Sequence, residues 1–290
     1  MATSYLGVRL DALRQAQNAD GGWGYFPRKQ SWLEPTAYAA LALAGEDAAD
    51  RAWNLLQSWQ AADGSFPPSR EVDIASWGTS LCVTLASSRG ELGETARKGV
   101  EWLVASSGVE SNWINRAAAR VGWLDIGRDA SLRGWPWKPD TSSWVEPTAH
   151  ALVALQKSAS KFTGSALQER VRLGRAQLSA VRCADGGWNY GSPAALRIDL
   201  PSYPETTGLA LVGLQRQEGL GKSIDLARRL LGETVSPLAR AWLAIALEVH
   251  GAAATTTASS AAMPPDLQHV ALEALASPEG NWRFLKTEAS

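Results

Sequence analysis

Residues 31–43 read SWLEPTAYAALAL, and a closely similar sequence, SWVEPTAHALVAL, recurs at residues 143–155. A third stretch, SYPETTGLALVGL at residues 202–214, fits the same frame, with a glutamate and a threonine at the matching positions. A looser fourth copy, ASWGTSLCVTL at residues 75–85, keeps the threonine and the apolar run but has Trp77 where the others have glutamate. Repetition of this kind indicates an array of similar supersecondary units.

Each copy predicts a buried helix. Proline suits the first helical position, because it removes no intrahelical hydrogen bond there, and a carboxylate at a helix start is favoured by the helix dipole. Glu34 with Pro35, and Glu146 with Pro147, are therefore expected to mark helix beginnings, with the proline in the first position. Apolar residues then fall on all sides of TAYAALAL, which is typical of a helix buried all round. Residues 236–247 and 265–275 add two helices of similar character.

A second pattern alternates with the first. It reads QNADGGW at residues 17–23, QAADGSF at 60–66, RCADGGW at 182–188 and ASPEGNW at 276–282. Each copy follows a helix that has a polar face, and the Asp-Gly pair predicts the turn that ends this helix. The tryptophans in these turns are expected to be buried pegs between neighbouring outer helices. The chain thus alternates an outer helix, a glycine-tryptophan turn and an inner helix.

Six such pairs of roughly 45 residues predict an all-α fold, an (α/α)6 toroid of about twelve helices in inner and outer rings. The expected organisation is a single domain over residues 1–290, with a flexible connection at about 251–265. The segment between residues 112 and 139 is expected to form one helix and a tryptophan-rich loop over the central cavity.

Composition excludes several classes of protein. The net charge is −1 with both signs dispersed, so nucleic acid is not expected as a partner. No apolar run is long enough to span a bilayer and no secretory leader is visible, which favours a cytoplasmic protein without a transmembrane segment. Cys82 and Cys183 lie far apart without a CxxC pattern, so neither a disulfide framework nor a finger-type zinc site is expected. Fourteen tryptophans against four phenylalanines are unusual and point to a special role for indole rings.

The glycine-tryptophan turns resemble the QW motifs of squalene-hopene and oxidosqualene cyclases. Over its full length the chain resembles the prenyltransferase and squalene-cyclase repeat superfamily. In the cyclases, the acid that protonates an alkene or epoxide lies in a D-x-D-D-T-A or D-C-T-A motif that opens an inner helix. WVEPTA, at residues 144–149, overlays this motif and places Glu146 on the proton-donating aspartate. The other acidic positions fall on Trp144 and Pro147, so the motif is degenerate.

Comparison with the superfamily also identifies metal-binding motifs that this sequence lacks. The Asp, Cys and His zinc ligands of protein prenyltransferases have no counterpart in a D-x-C pair here, and the Asp-rich magnesium motif is absent from the sequence. Neither a metal nor a cofactor is therefore expected. His150 is expected to be a buried core histidine rather than a ligand.

Two interpretations of Glu34, Glu146 and Glu205 stay open. Repetition favours structural carboxylates that satisfy backbone amides at helix starts. Alternatively they form a catalytic set in which Glu146 is the acid, because burial beside tryptophans favours the neutral carboxyl that a proton donor needs. The candidate ligand-binding residues, chosen for their aromatic rings near helix starts, are Trp135, Trp137, Trp144, Trp77, Trp32 and Tyr203.

The leading functional expectation is a terpene-cyclase-like toroid that binds an isoprenoid or another hydrophobic ligand in a tryptophan-lined cavity, with proton-initiated cyclisation as its reaction. One alternative is a non-catalytic toroid that binds a lipid or a protein partner. A second alternative is a carbohydrate-active (α/α)6 enzyme, since paired carboxylates among tryptophans are also a glycosidase arrangement.

Overall fold

The computed structural model of the protein describes residues 4–111, 114, 115, 117, 129, 131–195, 198–252 and 263–287. The helices of this part of the chain are α1 (Tyr5–Ala16), α2 (Leu33–Ala42), α3 (Asp47–Gln57), α4 (Thr79–Ser88), α5 (Glu94–Ala105), α6 (Val145–Ser158), α7 (Ser165–Ala180), α8 (Pro204–Gly213), α9 (Gly221–Glu233), α10 (Pro237–Val249) and α11 (Leu267–Ala276). Short 3-10 turns lie at Val109–Ser111 and Trp282–Leu285. Two antiparallel pairs of two-residue strands join β1 (Trp135–Pro136) to β2 (Ser143–Trp144) and β3 (Ala194–Ala195) to β4 (Ile198–Asp199).

The helices form two concentric rings. Helices α2, α4, α6, α8, α10 and α11 make the inner ring, in which each packs against the next and α11 returns to α2. Helices α1, α3, α5, α7 and α9 pack on the outside. The predicted all-α toroid is therefore confirmed. Most of the segment between residues 112 and 130, and most of the connection at 251–265, lie outside the described residues.

The ring closes where the first helix meets the last. Helix α1 packs against α11, and Arg9 on α1 forms a buried ion pair with Glu273 on α11, with Nε and Oε2 3.0 Å apart. The guanidinium also lies over the ring of Tyr5, 3.5 Å from its centroid. Because both charges are buried, removing either partner would leave an unpaired charge in the interior. This seam therefore ties the two ends of the described chain together.

The inner helices begin earlier than the sequence predicts. Helices α2 and α6 start at Leu33 and Val145, so each glutamate is the second residue and each proline the third. The first four N–H groups of a helix have no intrahelical partner, so proline costs no hydrogen bond at the third position either. In α8 the proline is first and Glu205 is again second. All three glutamates therefore occupy the same helical position.

A repeated hydrogen bond explains the repeated threonine. In four units the peptide N–H of the aromatic residue in the turn donates to the Oγ1 of the threonine near the inner helix start. These bonds run from Trp23 to Thr36 at 2.9 Å, from Phe66 to Thr79 at 2.9 Å, from Trp135 to Thr148 at 2.9 Å and from Trp188 to Thr207 at 3.0 Å. Each threonine thus fastens the turn to its own inner helix.

The turn tryptophans Trp23 and Trp188 are buried, as predicted, and each indole N–H bonds to the outer helix that precedes it. The indole N–H of Trp23 donates to the carbonyl oxygen of Leu13, and that of Trp188 to the carbonyl oxygen of Leu178, at 2.8 and 2.7 Å. Both acceptors lie on the preceding outer helix. Together with the threonine bond, this connects an outer helix to the inner helix that follows it.

Replacing Thr148 with valine is expected to lower the free energy of unfolding by about 1–2 kcal/mol, because the buried N–H of Trp135 loses its acceptor while the shape of the side chain is kept. Urea unfolding measures this change. Thr163→Val, at an exposed position, is the control and should change stability by less than about 0.5 kcal/mol. Equal losses in the two variants would contradict the assigned role.

Arg170 on α7 contacts both ends of the long stretch at residues 106–134, which lies in the sequence between α5 and the turn residue Trp135 and which we call the excursion. Its guanidinium lies over the ring of Trp135, 3.4 Å from the centroid, and donates to the carbonyl oxygens of Ser106 at 2.7 Å and Gly134 at 2.9 Å. It also donates to the carbonyl oxygen of Arg133. One buried side chain therefore contacts both ends of the excursion.

The carboxyl ends of the inner helices are covered by residues 281–287. Asn281 donates to the carbonyl oxygen of Ala42 at 3.0 Å, and Ser88 donates to that of Phe284 at 3.2 Å. Gln215, just after α8, donates to the carbonyl oxygen of Leu285 at 2.9 Å. This segment closes one face of the ring, and the glutamates lie at the opposite face. In the described part of the chain, no helix combines the length and the apolar character that crossing a bilayer requires.

Candidate active site

The amino ends of three inner helices bring Glu34, Glu146 and Glu205 to one face of the ring. We call these three residues the carboxyl cluster. They lie close enough to interact, because the negative charges of Glu34 and Glu205 both raise the pKa of Glu146. The structure therefore unites the candidate catalytic residues that the sequence repeats pointed to.

Burial divides the carboxyl cluster into different protonation states. Burial first, and then the charges of Glu34 and Glu205, raise the pKa of Glu146 to about 8. Burial also raises the pKa of Glu34 to about 6, although hydrogen bonds with Tyr25 and Trp77 oppose the rise. The pKa of Glu205 is raised by burial as well. The pKa of Glu146 is thus raised further than that of Glu34, which favours the protonated form of Glu146 at neutral pH.

The structural interpretation of the glutamates stays a prediction, because all three lie in the first turn of a helix, where the dipole favours a carboxylate. The residues that precede helices α2, α6 and α8 are Trp32, Trp144 and Tyr203, and none supplies a side-chain capping bond. Burial raises the pKa of all three carboxyls, and neighbouring charges contribute to the shifts. For Glu34, the side chains of Tyr25 and Trp77 also contribute. No backbone amide is among the causes of these shifts. Burial makes each charge less favourable, which is the opposite of what a stabilising cap does.

A hydrogen-bonded pair lies one helical turn below the carboxyl cluster. Tyr38 follows Glu34 by four residues on α2, and His150 follows Glu146 by four residues on α6, so each lies on the same helix face as its glutamate. The Tyr38 hydroxyl and His150 Nε2 are 3.1 Å apart. Burial lowers the pKa of His150 to about 3, so this imidazole is neutral.

Two indole rings complete an aromatic floor made of Tyr38, His150, Trp77 and Trp242. Trp242 on α10 lies 5.4 Å from His150 and 6.0 Å from Tyr38 between ring centroids, and Trp77 lies 5.1 Å from His150. Their exposed fractions are 0% for Tyr38, 2% for His150, 6% for Trp77 and 1% for Trp242. Side chains therefore fill the centre of the ring below the carboxyl cluster, and we call the face above this floor, with the aromatic rings around it, the bowl.

The candidate aromatic residues form the wall of the bowl. Trp144 and Tyr203 are 40% and 44% exposed, and Tyr190 stands between them, 6.3 and 5.4 Å away between ring centroids. On the other helices Trp32 lies 5.9 Å from Tyr25, and Trp137 packs edge-on against Trp77 at 5.2 Å. Exposed rings at this face offer both apolar area and π faces that attract cations.

Trp135 lies elsewhere than expected. It is 2% exposed, and its indole N–H donates to the carbonyl oxygen of Leu103 at 2.9 Å. Trp135 is therefore the turn aromatic of the third unit and not a wall residue. The Q-x-x-D-G sequence that would have revealed this is absent before Gly134, but Thr148 follows Trp135 by thirteen residues, the spacing that also separates Trp23 from Thr36.

Sequence reasoning missed Tyr25, Tyr38, Tyr190 and Trp242. The spacing of four residues between Glu34 and Tyr38 was a usable signal, because it places both on one helix face. Trp242 gave no signal, since its partners lie far away in the chain. The thiols of Cys82 and Cys183 are free and buried. The described residues include no group of three or more His, Cys, Asp or Glu that could hold a metal ion.

Comparison with known proteins supports the fold and does not name a family. No protein-family model and no curated sequence matches the chain. The type II terpene cyclase MstE from Scytonema superposes with a TM-score of 0.54 at 18% identity, over 84% of this chain and 73% of the cyclase. An uncharacterized conserved protein from Thermus thermophilus superposes with a TM-score of 0.56 at 13% identity, over 86% of this chain and 88% of that one.

A larger relative in fold is the ent-copalyl diphosphate synthase from Streptomyces platensis, with a TM-score of 0.53 and 18% identity. The match covers 92% of this chain but only 45% of the synthase. A variant of MstE has been solved in complex with its substrate, geranylgeranyl dihydroxybenzoate. The protein thus has a terpenoid-cyclase-like α/α toroid fold.

Proposed function

We propose that the bowl binds the end of an isoprenoid chain and that Glu146 protonates it to start a cyclisation. The observation that carries this proposal is the position of Glu146 in the first turn of α6, buried beside the aromatic wall, where burial and the charges of Glu34 and Glu205 raise its pKa to about 8 and favour the neutral acid. A general acid must hold its proton at the working pH and sit where the developing cation is stabilised. The carboxyl cluster and its aromatic wall meet both requirements.

The chemistry needs no redox partner. Glu146 gives its proton to the terminal alkene, whose π electrons form the new C–H bond and leave a cation on the neighbouring carbon. The π electrons of the next alkene form a C–C bond to that cation and close a ring. The last cation loses a proton to water and becomes an alkene, and the Glu146 carboxylate takes up a proton from solvent before the next turnover. The product is an isomer of the substrate.

Two groups would stabilise the cations formed on the way. Glu34 has a lower pKa than Glu146, about 6, so its carboxylate is negatively charged at neutral pH. This charge attracts a cation formed near Glu146. The exposed faces of Trp144 and Tyr203 supply π electrons near the same position. The neutral His150 beneath adds no competing positive charge.

The filled centre limits how a substrate binds. Because the aromatic floor lies one turn below Glu146, only the terminal part of a chain reaches the acid, and the remainder must lie along the wall. The substrate of MstE combines a geranylgeranyl chain with an aromatic head group. A ligand of this class would place its chain end on Glu146 and its head group toward the outside of the bowl.

Isotope incorporation tests the proposal. The protein is incubated in D2O with geranylgeranyl dihydroxybenzoate, geranylgeranyl diphosphate and squalene, each in a separate reaction. We expect one substrate to give an isomer that carries one deuterium, seen by mass spectrometry. Glu146→Gln is expected to lower the rate at least about a hundredfold, the scale of general acid catalysis.

The controls separate the acid from its neighbours. Glu169→Gln removes an exposed carboxylate from α7 and should leave the rate unchanged. Glu205→Gln, at the equivalent helical position, should have a smaller effect than Glu146→Gln. Full activity of Glu146→Gln would overturn the assignment of the acid. Tight binding without turnover of any substrate would instead favour the non-catalytic toroid.

A further inference from the structure

Trp77 takes the place of the repeated glutamate in the second unit. It precedes Thr79 by two residues, as Glu34 precedes Thr36, and both threonines bond the turn of their own unit. The shared frame therefore places Trp77 at the face of the ring that carries the carboxyl cluster. An indole N–H can only donate a hydrogen bond, so this unit adds a donor where the other units add a carboxyl group.

The start of α4 lies directly against the start of α2. Gly78 leaves no room for a side chain, because a Cβ atom there would lie 2.5 Å from a methyl carbon of Leu33, the residue before Glu34. From this position the indole N–H of Trp77 donates a hydrogen bond to the carboxylate of Glu34. A hydrogen bond to the charged form of a carboxyl group favours that form. Trp77 therefore stabilises the ionised state of Glu34.

Trp77 is held in place by contacts on several sides. Its main-chain N–H donates to the carbonyl oxygen of Trp137 at 3.0 Å, and its own carbonyl oxygen accepts a bond from the Ser80 hydroxyl at 2.7 Å. Its ring packs edge-on against that of Trp137 and lies 5.1 Å from that of His150 between centroids. Because the ring is already ordered, little conformational entropy is lost when its N–H bonds to Glu34.

Tyr25 is a second donor to Glu34, and it belongs to the turn that precedes α2. Its carbonyl oxygen accepts the N–H of Leu267 at 2.7 Å, which ties this turn to the start of α11, and its ring lies 5.9 Å from that of Trp32. Burial first, and then the charge of Glu34, raise the pKa of Tyr25, so the hydroxyl keeps its proton and acts as the donor. Two donors from different units thus converge on one carboxylate.

Glu146 receives no comparable bond. Burial and the charges of Glu34 and Glu205 shift its pKa, and no hydrogen-bond donor is among the causes. Glu34 and Glu146 are each the second residue of an inner helix, in repeats of closely similar sequence. The two donors therefore distinguish two carboxyl groups that the repeat alone makes alike.

The other groups around Glu34 do not favour its charge. Asp266, at the start of α11, raises the pKa of Glu34 by its own negative charge. Helix α4 contains no charged residue. The charged residues of α3, the outer helix packed behind α2, are not among the groups that shift this pKa; they are Asp47, Asp50 and Arg51. In the described part of the chain, the bonds from Trp77 and Tyr25 are thus the interactions that oppose protonation of Glu34.

We propose that Trp77 and Tyr25 are positioning residues that keep the negative charge on Glu34 and leave the proton of the pair on Glu146. Neither residue has to touch the substrate, since each acts through Glu34. The catalytic meaning of this role rests on the proposed function, because a proton-initiated reaction needs one carboxyl protonated and a negative charge nearby. The distribution of charge is a property of the ligand-free protein and is measured without a substrate.

Carbon-13 NMR titration of the glutamate carboxyl groups in the ligand-free protein tests the proposal. The signals of Glu34 and Glu146 are assigned by their loss in Glu34→Gln and Glu146→Gln. Trp77→Phe keeps an aromatic ring against His150 but removes the donor, and it is expected to raise the titration midpoint of Glu34 by at least about 0.5 pH unit. Tyr25→Phe, which keeps the ring and removes the hydroxyl, should act in the same direction.

The sign of the change separates a positioning role from a merely structural one. Loosened packing would expose both carboxyls to water and would lower the midpoints of Glu34 and Glu146 toward the ordinary value of 4.5. Trp137→Phe makes the same substitution in the ring against Trp77 and should leave the midpoint of Glu34 unchanged. A lowered or unchanged midpoint in Trp77→Phe, or an equal rise in Trp137→Phe, would overturn the proposal.

The pH dependence of turnover gives a second readout with the substrate that isotope incorporation identifies. The reaction needs Glu34 charged and Glu146 protonated, so kcat/KM of the wild type should be highest between about pH 6 and pH 8. In Trp77→Phe the acidic limb of this profile is expected to move to higher pH, and an unmoved limb would contradict the role. Absence of turnover contradicts the proposed function, whereas a lowered NMR midpoint contradicts the role of Trp77, so the two failures are distinguishable.

Discussion

Arg170→Met is expected to lower the free energy of unfolding by about 3–5 kcal/mol, because several buried carbonyl oxygens lose their donor at once. The guanidinium donates hydrogen bonds to the carbonyl oxygens of Ser106, Arg133 and Gly134 and stacks on the ring of Trp135. Methionine fills part of the volume but donates no hydrogen bond. Urea or guanidinium unfolding, followed by circular dichroism, measures the loss.

A neighbouring arginine supplies the control. Arg172 lies two residues further along α7, where it is exposed and paired with Glu169. Arg172→Met should cost no more than about 0.5 kcal/mol, as is usual for a surface ion pair. Arg170→Lys should restore only part of the stability, because a single ammonium group cannot reproduce the planar fork. A loss of similar size in Arg170→Met and Arg172→Met would contradict the role of Arg170 as a fastening for both ends of the excursion.

Glu146→Gln is expected to leave stability nearly unchanged at pH 5 and to raise it at pH 9. The folded protein holds the pKa of Glu146 at about 8 against an ordinary value of 4.5, so the folded state favours the protonated form. The resulting stability is fully present below pH 4.5 and is lost as the pH rises through 8. Glutamine resembles the protonated carboxyl and has no proton to lose. With an allowance for the partial exposure of the group, the advantage of the variant at pH 9 should be about 3 kcal/mol.

Unfolding curves of the wild type and the variants at several pH values between 5 and 9 distinguish a buried acid from a stabilising cap. Glu205→Gln should show the same sign with a smaller size, since burial raises its pKa too. If the glutamates were stabilising caps, all three glutamine variants would lose stability at every pH. A difference between the wild type and Glu146→Gln that does not change with pH would also show that Glu146 is not held as an acid.

The fold was accessible from the sequence because its units repeat. The copies at residues 31–43, 143–155 and 202–214 share a glutamate, a threonine and an apolar run, and the structure gives each of these a fixed place. Glu146 was identified as a site candidate because it overlays the proton-donating aspartate of the cyclase motif, and Glu34 and Glu205 because they occupy the matching positions of the other copies. Their pKa values were not accessible, since these depend on how closely three helices from distant parts of the chain approach one another.

The contacts that could not be predicted from the sequence join inner helices that are not neighbours in the ring. Tyr38 and His150 are 112 residues apart and meet only because α2 and α6 face each other across the inner ring. Trp242 joins them from a third helix. Trp135 was misplaced because its unit contains a long excursion, and only Arg170, on the next outer helix, shows where that excursion ends.

The closed floor also decides the route of any ligand. Beneath the carboxyl cluster lie Tyr38, His150 and Trp242, and beyond them residues 281–287 cover the far ends of the helices. A molecule that reaches Glu146 must therefore depart through the opening by which it arrived. Under the proposed function, product must leave before a new substrate can bind, and a slowly released product competes directly with substrate for the site. A fusion partner attached on the covered face would not obstruct the entry or exit of a ligand.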